Sequence, residues 1–373
     1  MKFLHMSDLH LGRKMNGISL LDDQRYILNQ IIDIIKDQNI DYVFICGDIY
    51  NNSSPLPDAM VVFDNFLSNL VELHVKTFVI SGNHDSDDRV SYLSNIVRKS
   101  DIYISTKFEG VLQTYHFEDE YGKFAISLLP FIKPAEVRRF YPSEKIETYE
   151  DAVKIVLKNS KIDKNERNII LAHQYITGAT LSDVEELAIG GLDNINAEVF
   201  DDFDYVALGH IHLAQRVMRD TLRYSGSIIK CAFSEEHHKK SVTVVDMKES
   251  NHIDYHQVEL KPKHELITYK DNYENLIKKE KSDDFVRIIL TDEEVIPNAT
   301  ESLFSIFPNL VGVTVENSKT MLNRDVNIQV NVENYSIIEL FDKFYRLQNN
   351  DVGLSEKQQK VLEKLIEEIR EEA

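Results

Sequence analysis

The chain has 373 residues, 43% apolar and 28% charged, the balance of a soluble globular protein and too long a chain for one hydrophobic core to organise. Its 42 Lys and Arg stand against 62 Asp and Glu, a net charge of −20 that argues against a broadly basic surface but leaves room for a local one. No apolar run approaches a membrane span and no signal-peptide pattern opens the chain, so a cytoplasmic protein is expected.

Hydrophobic periodicity predicts strands at residues 2–6, 42–46, 77–80, 124–129, 168–172 and 205–208, with helical patterns such as 22–38 between them. That alternation predicts an α/β layered domain. Further strands at 222–225, 241–245 and 253–260 close it near Pro262. A second, small α/β unit begins about His264, with helices at 272–279 and near Glu301 and strands at 285–290 and 311–316. Two terminal helices follow, one from Ser336 with Glu339 as its capping-box partner, the other from Ser355 with Gln358 in that role. The expected domains are 1–262, 263–335 and 336–373. Cys46 and Cys231 lie in separate apolar stretches, so they read as buried, inert thiols, with neither a disulfide nor a cysteine metal site.

Ligand-type polar residues recur where these strands end. Met6-Ser7-Asp8-Leu9-His10 follows the first, Gly47-Asp48 the second and Ser81-Gly82-Asn83-His84-Asp85 the third; His173 and Gly209-His210-Ile211-His212 close later ones. The carboxyl ends of strands form the ligand crevice of open α/β sheets, so five loops distant in sequence are expected to converge. Asp, His and Asn without cysteine suit manganese or iron, and zinc as well. An Asp-X-His spacing in extended chain puts both side chains on one side, so one ion can take Asp8 together with His10; His210 and His212 share that spacing. Asp48 can bridge two ions. Seven candidate ligands are too many for one tetrahedral site and suit two open ones. Two ions about 3.5 to 4 Å apart generate hydroxide and clamp a phosphorus under in-line attack, so phosphoester hydrolysis is the expected reaction. Singly, an Asp-X-His or a Gly-Asp turn carries little; the five in order, each after a strand, carry the reading. His5, His74 and His116 lack such partners and read as ordinary core or surface histidines.

The ordered motifs resemble those of the calcineurin-like metallophosphoesterase superfamily, and over residues 1 to about 260 their wording resembles its SbcD-type nuclease subunits. The supporting stretches are Asp8-Leu9-His10-Leu11-Gly12-Arg13, Ile189-Gly190-Gly191-Leu192-Asp193, Asp204-Tyr205-Val206-Ala207-Leu208-Gly209-His210, and Arg223-Tyr224-Ser225-Gly226-Ser227 followed by Ser234-Glu235-Glu236-His237-His238-Lys239. The resemblance implies a four-layer α/β sandwich metallophosphoesterase domain with a small α/β cap domain and C-terminal helices. It implies two divalent metal ions, Mn2+ foremost: one held by Asp8, His10 and His212, the other by Asn83, His173 and His210, with Asp48 between them. His84 would then face the phosphate as a transition-state stabiliser or a proton donor to the leaving oxygen. Three positions depart from the family's usual wording: Leu9 replaces a Trp, Asn51 a supporting Asp, and Ile228 a Pro. None removes a ligand, and Asn51 bears on metal preference.

The implied activity is a metal-dependent double-strand DNA exonuclease and single-strand endonuclease, working in DNA end processing, repair and recombination. The implied partners are DNA, an SMC-type ATPase of the SbcC kind, and a second copy of the chain, as a homodimer within a heterotetramer; no membrane is involved. Two rival readings are a small-substrate phosphatase or cyclic-nucleotide phosphodiesterase, disfavoured by the extra C-terminal third, and a non-enzymatic scaffold, disfavoured by the intact ligand set with His84. Arg13 and Lys14 gain weight as DNA contacts from leaving the first metal loop, whereas Arg138, Arg139, Lys239 and Lys240 read as solvated surface. The helical stretch 58–73, dense in Met60, Val61, Phe63, Phe66, Leu67 and Leu70, is the expected dimer helix, although its stripe by itself suits core packing. Val361, Leu362, Leu365, Ile366 and Ile369 recur at helical spacing and are expected to dock on the ATPase; packing against Ile337, Leu340, Phe341, Phe344 and Tyr345 is the simpler alternative.

Overall fold

In the strand Lys2–Met6, successive side chains alternate between two apolar environments: Phe3 and His5 face one way, Leu4 and Met6 the other, and all four are buried. A strand buried on both faces reads as an apolar run rather than an alternation, and this is the pattern that marks most strands of the first unit. The computed structural model describes residues 1–181, 194–249, 252–318, 320, 337–348, 353–355, 357–362 and 365. Ile189 to Asp193, Ser336, Ile366 and Ile369 lie outside the described residues. The chain forms two compact units, Met1–Ile267 and Thr268–Ala373.

In the first unit two six-stranded sheets face each other. One runs, in spatial order, His252–Glu259, Ser241–Glu249, Lys2–Met6, Tyr42–Cys46, Lys76–Ile80, Ile102–Ser105; the other Gln215–Val217, Arg219–Tyr224, Tyr205–Gly209, Arg167–His173, Gly122–Leu129, Gln113–Asp119. The last four strands of the first sheet are parallel, as are the four from Arg219–Tyr224 to Gly122–Leu129 in the second. Phe3, Phe44 and Phe78 from one sheet meet Phe124, Ile126, Leu171 and Tyr205 from the other, forming a core between the sheets. Helices Leu21–Gln38 and Pro57–Glu72 bury Ile27, Ile31, Ile35, Val62, Phe66 and Leu70 and pack on each other, the second also on the strand Lys76–Ile80. Val137 and Val153 of the helices Pro134–Phe140 and Tyr149–Lys158 join Ile170, Val206 and Leu208 on the outer face of the second sheet. Helix, sheet, sheet, helix is the expected four-layer sandwich.

Phe63, Phe66 and Leu70 are thus core residues, whereas Met60 and Val61 on the same helix are exposed. His5 lies between the sheets, 3.2 Å from the Tyr205 hydroxyl and 3.1 Å from the Leu208 carbonyl, and burial drives its pKa down to about 3. His74 and His116 are exposed.

The edge of the second sheet depends on one carboxylate. Asp119 pairs with the guanidinium of Arg167, which is 4% exposed, and with the N-terminal ammonium at 2.8 Å; Arg167 also donates to the carbonyls of Gly122 and Met247. Asp119→Ala leaves a buried guanidinium without its counter-ion, and a loss of about 3 kcal/mol is expected, read as a lower denaturation midpoint at an unchanged slope. Burial pushes the Asp119 carboxyl up, but Arg167 and the ammonium together hold it below its usual range. The contribution is therefore complete above about pH 4 and fades only on further acidification.

In the second unit the sheet Leu266–Asp271, Phe285–Leu290, Leu310–Val315 packs Val286, Ile288 and Leu290 against Leu276, Leu303 and Phe307. Within the same unit, the helix Ile337–Gln348 is followed by the predicted capping box: Ser355 N donates to Gln358 Oε1 at 2.9 Å, and Gln358 N to Ser355 Oγ at 3.4 Å. Gln358 Nε2 donates to the Tyr345 hydroxyl, so the two terminal segments meet. Among the described residues Phe344, Val361 and Leu365 are exposed, and Phe341, Leu354 and Leu362 line an apolar groove of about 370 Å³. No helix among the described residues is long and apolar enough to cross a membrane.

Candidate metal centre

The parallel strands deliver their loops to one end of the two sheets. Asp8, His10, Asp48 and His210 all have left-handed backbone, with φ of 52°, 43°, 49° and 103°. A non-glycine residue held there is strained, and such strain persists only where surrounding contacts fix it. Asp8 N donates to the Gly47 carbonyl at 3.1 Å and His10 N to that of Asp48 at 2.9 Å, tying the first loop to the second. Gly82 and Gly209 are required by close approach, since a Cβ would sit 2.1 Å from Asp48 Oδ1 at the former and 1.9 Å from the Cys46 carbonyl at the latter.

All seven predicted ligands come together. Asp48 Oδ2 lies 3.6 Å from His10 Nε2 and 3.4 Å from His173 Nε2, between two groups of donors. On one side His10 Nε2 faces His212 Nε2 at 3.1 Å, and donor atoms of Asp8, His10 and His212 lie within 4.8 Å of one another. On the other, Asn83 Oδ1 is 3.0 Å from both His173 Nε2 and His210 Nδ1. Six of the seven are buried and Asn83 is exposed, so the cluster opens on the Asn83 side. His84 stands at that opening, one-third exposed, its Nε2 4.0 Å from Asp48 Oδ2 and its ring edge-on to His10 at 5.1 Å. Its backbone N–H donates to Asp48 Oδ1 at 2.9 Å.

The electrostatics match a cation-binding set. Burial pushes the Asp48 carboxyl up, but His173 and His10 outweigh it and hold the group ionised, well below its usual range. Burial raises Asp8, against the pull of His173 and His212. Burial also lowers His10 strongly and His210 to about 3, which keeps their lone pairs free. Burial opposes protonation of His173 too, yet the Asp48 carboxylate raises it to about 9. The residues fit divalent cations: the His10 and His210 imidazoles, held neutral by burial, converge with the ionised Asp48 carboxylate, and the buried Nδ1 of His10 has no hydrogen-bond partner.

Three supporting residues were given no role by the sequence, although Asp85 and Glu235 lie in stretches it singled out. Gln24, fully buried, donates to the carbonyls of Leu9 (2.9 Å) and His10 (2.7 Å) and accepts from Gly12 N (3.0 Å), bracing the strained first loop. The Asp85 carboxylate accepts from the N–H groups of Ile49, Tyr50 and Gly82, pinning the second loop to the third. Glu235, fully buried, accepts from Cys231 N and stands 3.3 Å from His212 Nδ1 and 3.2 Å from Lys240 Nζ, at ion-pair distance though short of hydrogen-bond alignment. It lies in the stretch 234–239, whose wording marks the subfamily without indicating a role. Both cysteines are free and buried, as expected, and the Cys231 thiol lies with His212 and Glu235, their ligand-type atoms within 4.8 Å of one another, because the turn beyond Arg219–Tyr224 folds back on the site. Asn51, at the position of a supporting Asp, accepts from Arg13 Nη1 at 3.2 Å, so Arg13 is tethered rather than free.

A layered sandwich with such a cluster at its strand ends defines a phosphoester hydrolase, and the chain belongs to the calcineurin-like phosphoesterase family, which matches residues 1–214. Residues 262–349 match the Type 5 capsule protein repressor C-terminal domain. The SbcD component of the SbcCD nuclease from Staphylococcus epidermidis is 32% identical, over 92% of this chain and 93% of its own length. Its counterpart of the same name from Staphylococcus saprophyticus is 31% identical, over 100% and 99%. Within the family the chain is thus one of the SbcD-type members. A dimetal phosphatase from Danio rerio superposes with a TM-score of 0.43 at 13% identity, over 70% of this chain and 96% of its own.

Proposed function

We propose that this chain is the nuclease component of a DNA-processing complex, a two-metal phosphodiesterase that cuts linear duplex ends and single strands. The observation that carries the reading is Asp48, whose Oδ2 lies 3.6 Å from His10 of one group of donors and 3.4 Å from His173 of the other. Asp8, His10 and His212 would hold one divalent ion, Mn2+ foremost, and Asn83, His173 and His210 the other. The ion pair supplies Lewis-acid activation of water and neutralises charge on the phosphoryl oxygens. The chain's own residues do the rest: the strained loops fix the donors, and His84 at the opening donates a proton to the leaving oxygen or stabilises charge at phosphorus.

The relatives' name makes them one component of a nuclease, and full-length similarity supports the same organisation here. On that reading residues 1–262 cut, 263–335 position DNA, and 336–373 bind an SMC-type ATPase, with Met60 and Val61 pairing two copies. The decisive assay is manganese-dependent cleavage of linear duplex DNA with free and blocked ends, beside a generic phosphodiester. Turnover of the small ester without any DNA cleavage would refute the nuclease reading in favour of a small-substrate enzyme.

Two further results are expected. Glu235→Gln weakens manganese binding roughly 10- to 100-fold in a direct titration while the fold survives, and Glu235→Asp recovers part of it, because the carboxylate orients His212. Deleting residues 355–373 leaves hydrolysis of a small phosphodiester intact but weakens ATPase association, and Leu365→Asp does more than reversal of Glu367 and Glu368, since apolar burial carries the affinity. Undiminished pull-down of the ATPase by the truncated chain returns the last segment to internal packing.

A further inference from the structure

Beside the metal centre lies a cavity that no step above uses. Phe131, just beyond the strand Gly122–Leu129, stacks on His210 with ring centres 6.4 Å apart and planes at 26°, and stands edge-on to His173 at 6.3 Å. Its N–H donates to the Ser81 carbonyl at 3.0 Å, fixing it to the third metal loop. The same Phe131 lines a cavity of about 370 Å³ with Phe108, Phe140, Arg139 and Lys107. Phe108 and Phe140 meet edge to face at 5.4 Å, and Phe140 is 46% exposed. Lys107 is engaged by Asp88, whereas Arg139 makes no ion pair among the described residues. Asp87, Glu109 and Glu136 complete the lining, so the cavity is no simple anion site.

We propose that this cavity receives a nucleobase of the substrate strand adjoining the scissile phosphate, stacked on Phe140 and Phe108, with Arg139 against the next phosphate. The inference rests on the nuclease reading and deepens it. Aromatic rings interleaved with a cation are what single-stranded nucleic acid uses, because every base has a π-face; acidic side chains offer acceptors to base amino groups and disfavour a bare phosphate in the cavity. The volume is at the small end of ligand sites, room for one nucleoside and none for a duplex. A base can enter only from an unpaired strand or by leaving its stack, so the cavity selects single strands and frayed ends without reading sequence.

The test uses the full chain with Mn2+ and a single-stranded oligonucleotide, intact or with one abasic nucleotide at the cleavage position. The wild type should cleave the abasic strand with a KM about tenfold higher at similar kcat, from the loss of one stacking contact. Phe140→Ala should raise the KM for the intact strand about tenfold and erase the difference between the strands; Phe140→Tyr should restore it. Phe140 is half exposed and touches no candidate ligand, so manganese content and melting temperature should not change. Equal KM for both strands in the wild type, or an undiminished ratio in Phe140→Ala, overturns the base site while leaving the nuclease reading intact. A wild type that hydrolyses a generic phosphodiester and no oligonucleotide overturns both.

Discussion

Asp48→Asn should lower phosphodiester hydrolysis by about a thousandfold or more and, on the proposed two-metal reading, remove at least one of the two ions. The substitution keeps shape: Asn Oδ1 can still accept the His84 N–H, now at 2.9 Å from Asp48 Oδ1, so the third loop should hold. What it removes is the negative charge between His10 and His173, whose Nε2 atoms lie 3.6 and 3.4 Å from Oδ2. On the proposed two-metal reading a carboxylate between the ions would serve both, so its loss would combine weakened metal binding with misplacement of whatever ion remains. Losing a single preorganised electrostatic group already costs on the order of 10²–10³ in rate. Metal analysis by plasma emission, circular dichroism and turnover of a generic phosphodiester check the three parts separately. Two ions per chain with wild-type turnover would show that Asp48 does not bridge.

His84→Gln should separate binding from chemistry. His84 stands one-third exposed at the mouth of the cluster, 4.0 Å from Asp48 Oδ2, and its ring is absent from the tight donor contacts that join the seven candidate ligands. Gln retains hydrogen-bonding capacity but cannot deliver a proton near neutral pH. The expected result is full manganese content, a KM within about twofold of wild type, and a kcat lower by on the order of a hundredfold. A leaving group that needs no proton, such as nitrophenolate, should lose much less than DNA if proton donation is the role. An equal loss on both substrates assigns His84 to charge stabilisation. Wild-type kcat in a metal-loaded variant removes it from the chemistry.

The candidate positions Asp8, Asp48, Asn83, His173 and His210 were legible in the sequence because a metal ligand would have to be a particular residue type and sit at a strand's carboxyl end. Both conditions leave marks: an apolar run that stops, then Asp, Asn or His. The strands 2–6 and 42–46 coincide with the observed ones because strands buried on both faces are unbroken apolar runs. The edge strand Gln113–Asp119 gave no such run; it is half exposed and as polar as a loop.

Periodicity also established that the helix Pro57–Glu72 has an apolar arc, and it could not say which part of the arc faces the core. Packing against the strand Lys76–Ile80 decided that, burying Phe63 and Phe66 and leaving Met60 and Val61 outside. Gln24, Asp85 and Glu235 belong to the same class of decision. Each acts on backbone groups or on a histidine brought near only by the fold, and a hydrogen bond to a carbonyl demands no recurring residue type. Phe131 against His210, and Arg167 with Asp119, likewise join elements remote in the chain. The sequence by itself marked the candidate ligands and their order and determined the layered fold, because each rests on local residue chemistry and local period. Only the tertiary structure decided what braces those ligands and what lies beside them, because those contacts arise between strands and loops that no local pattern relates.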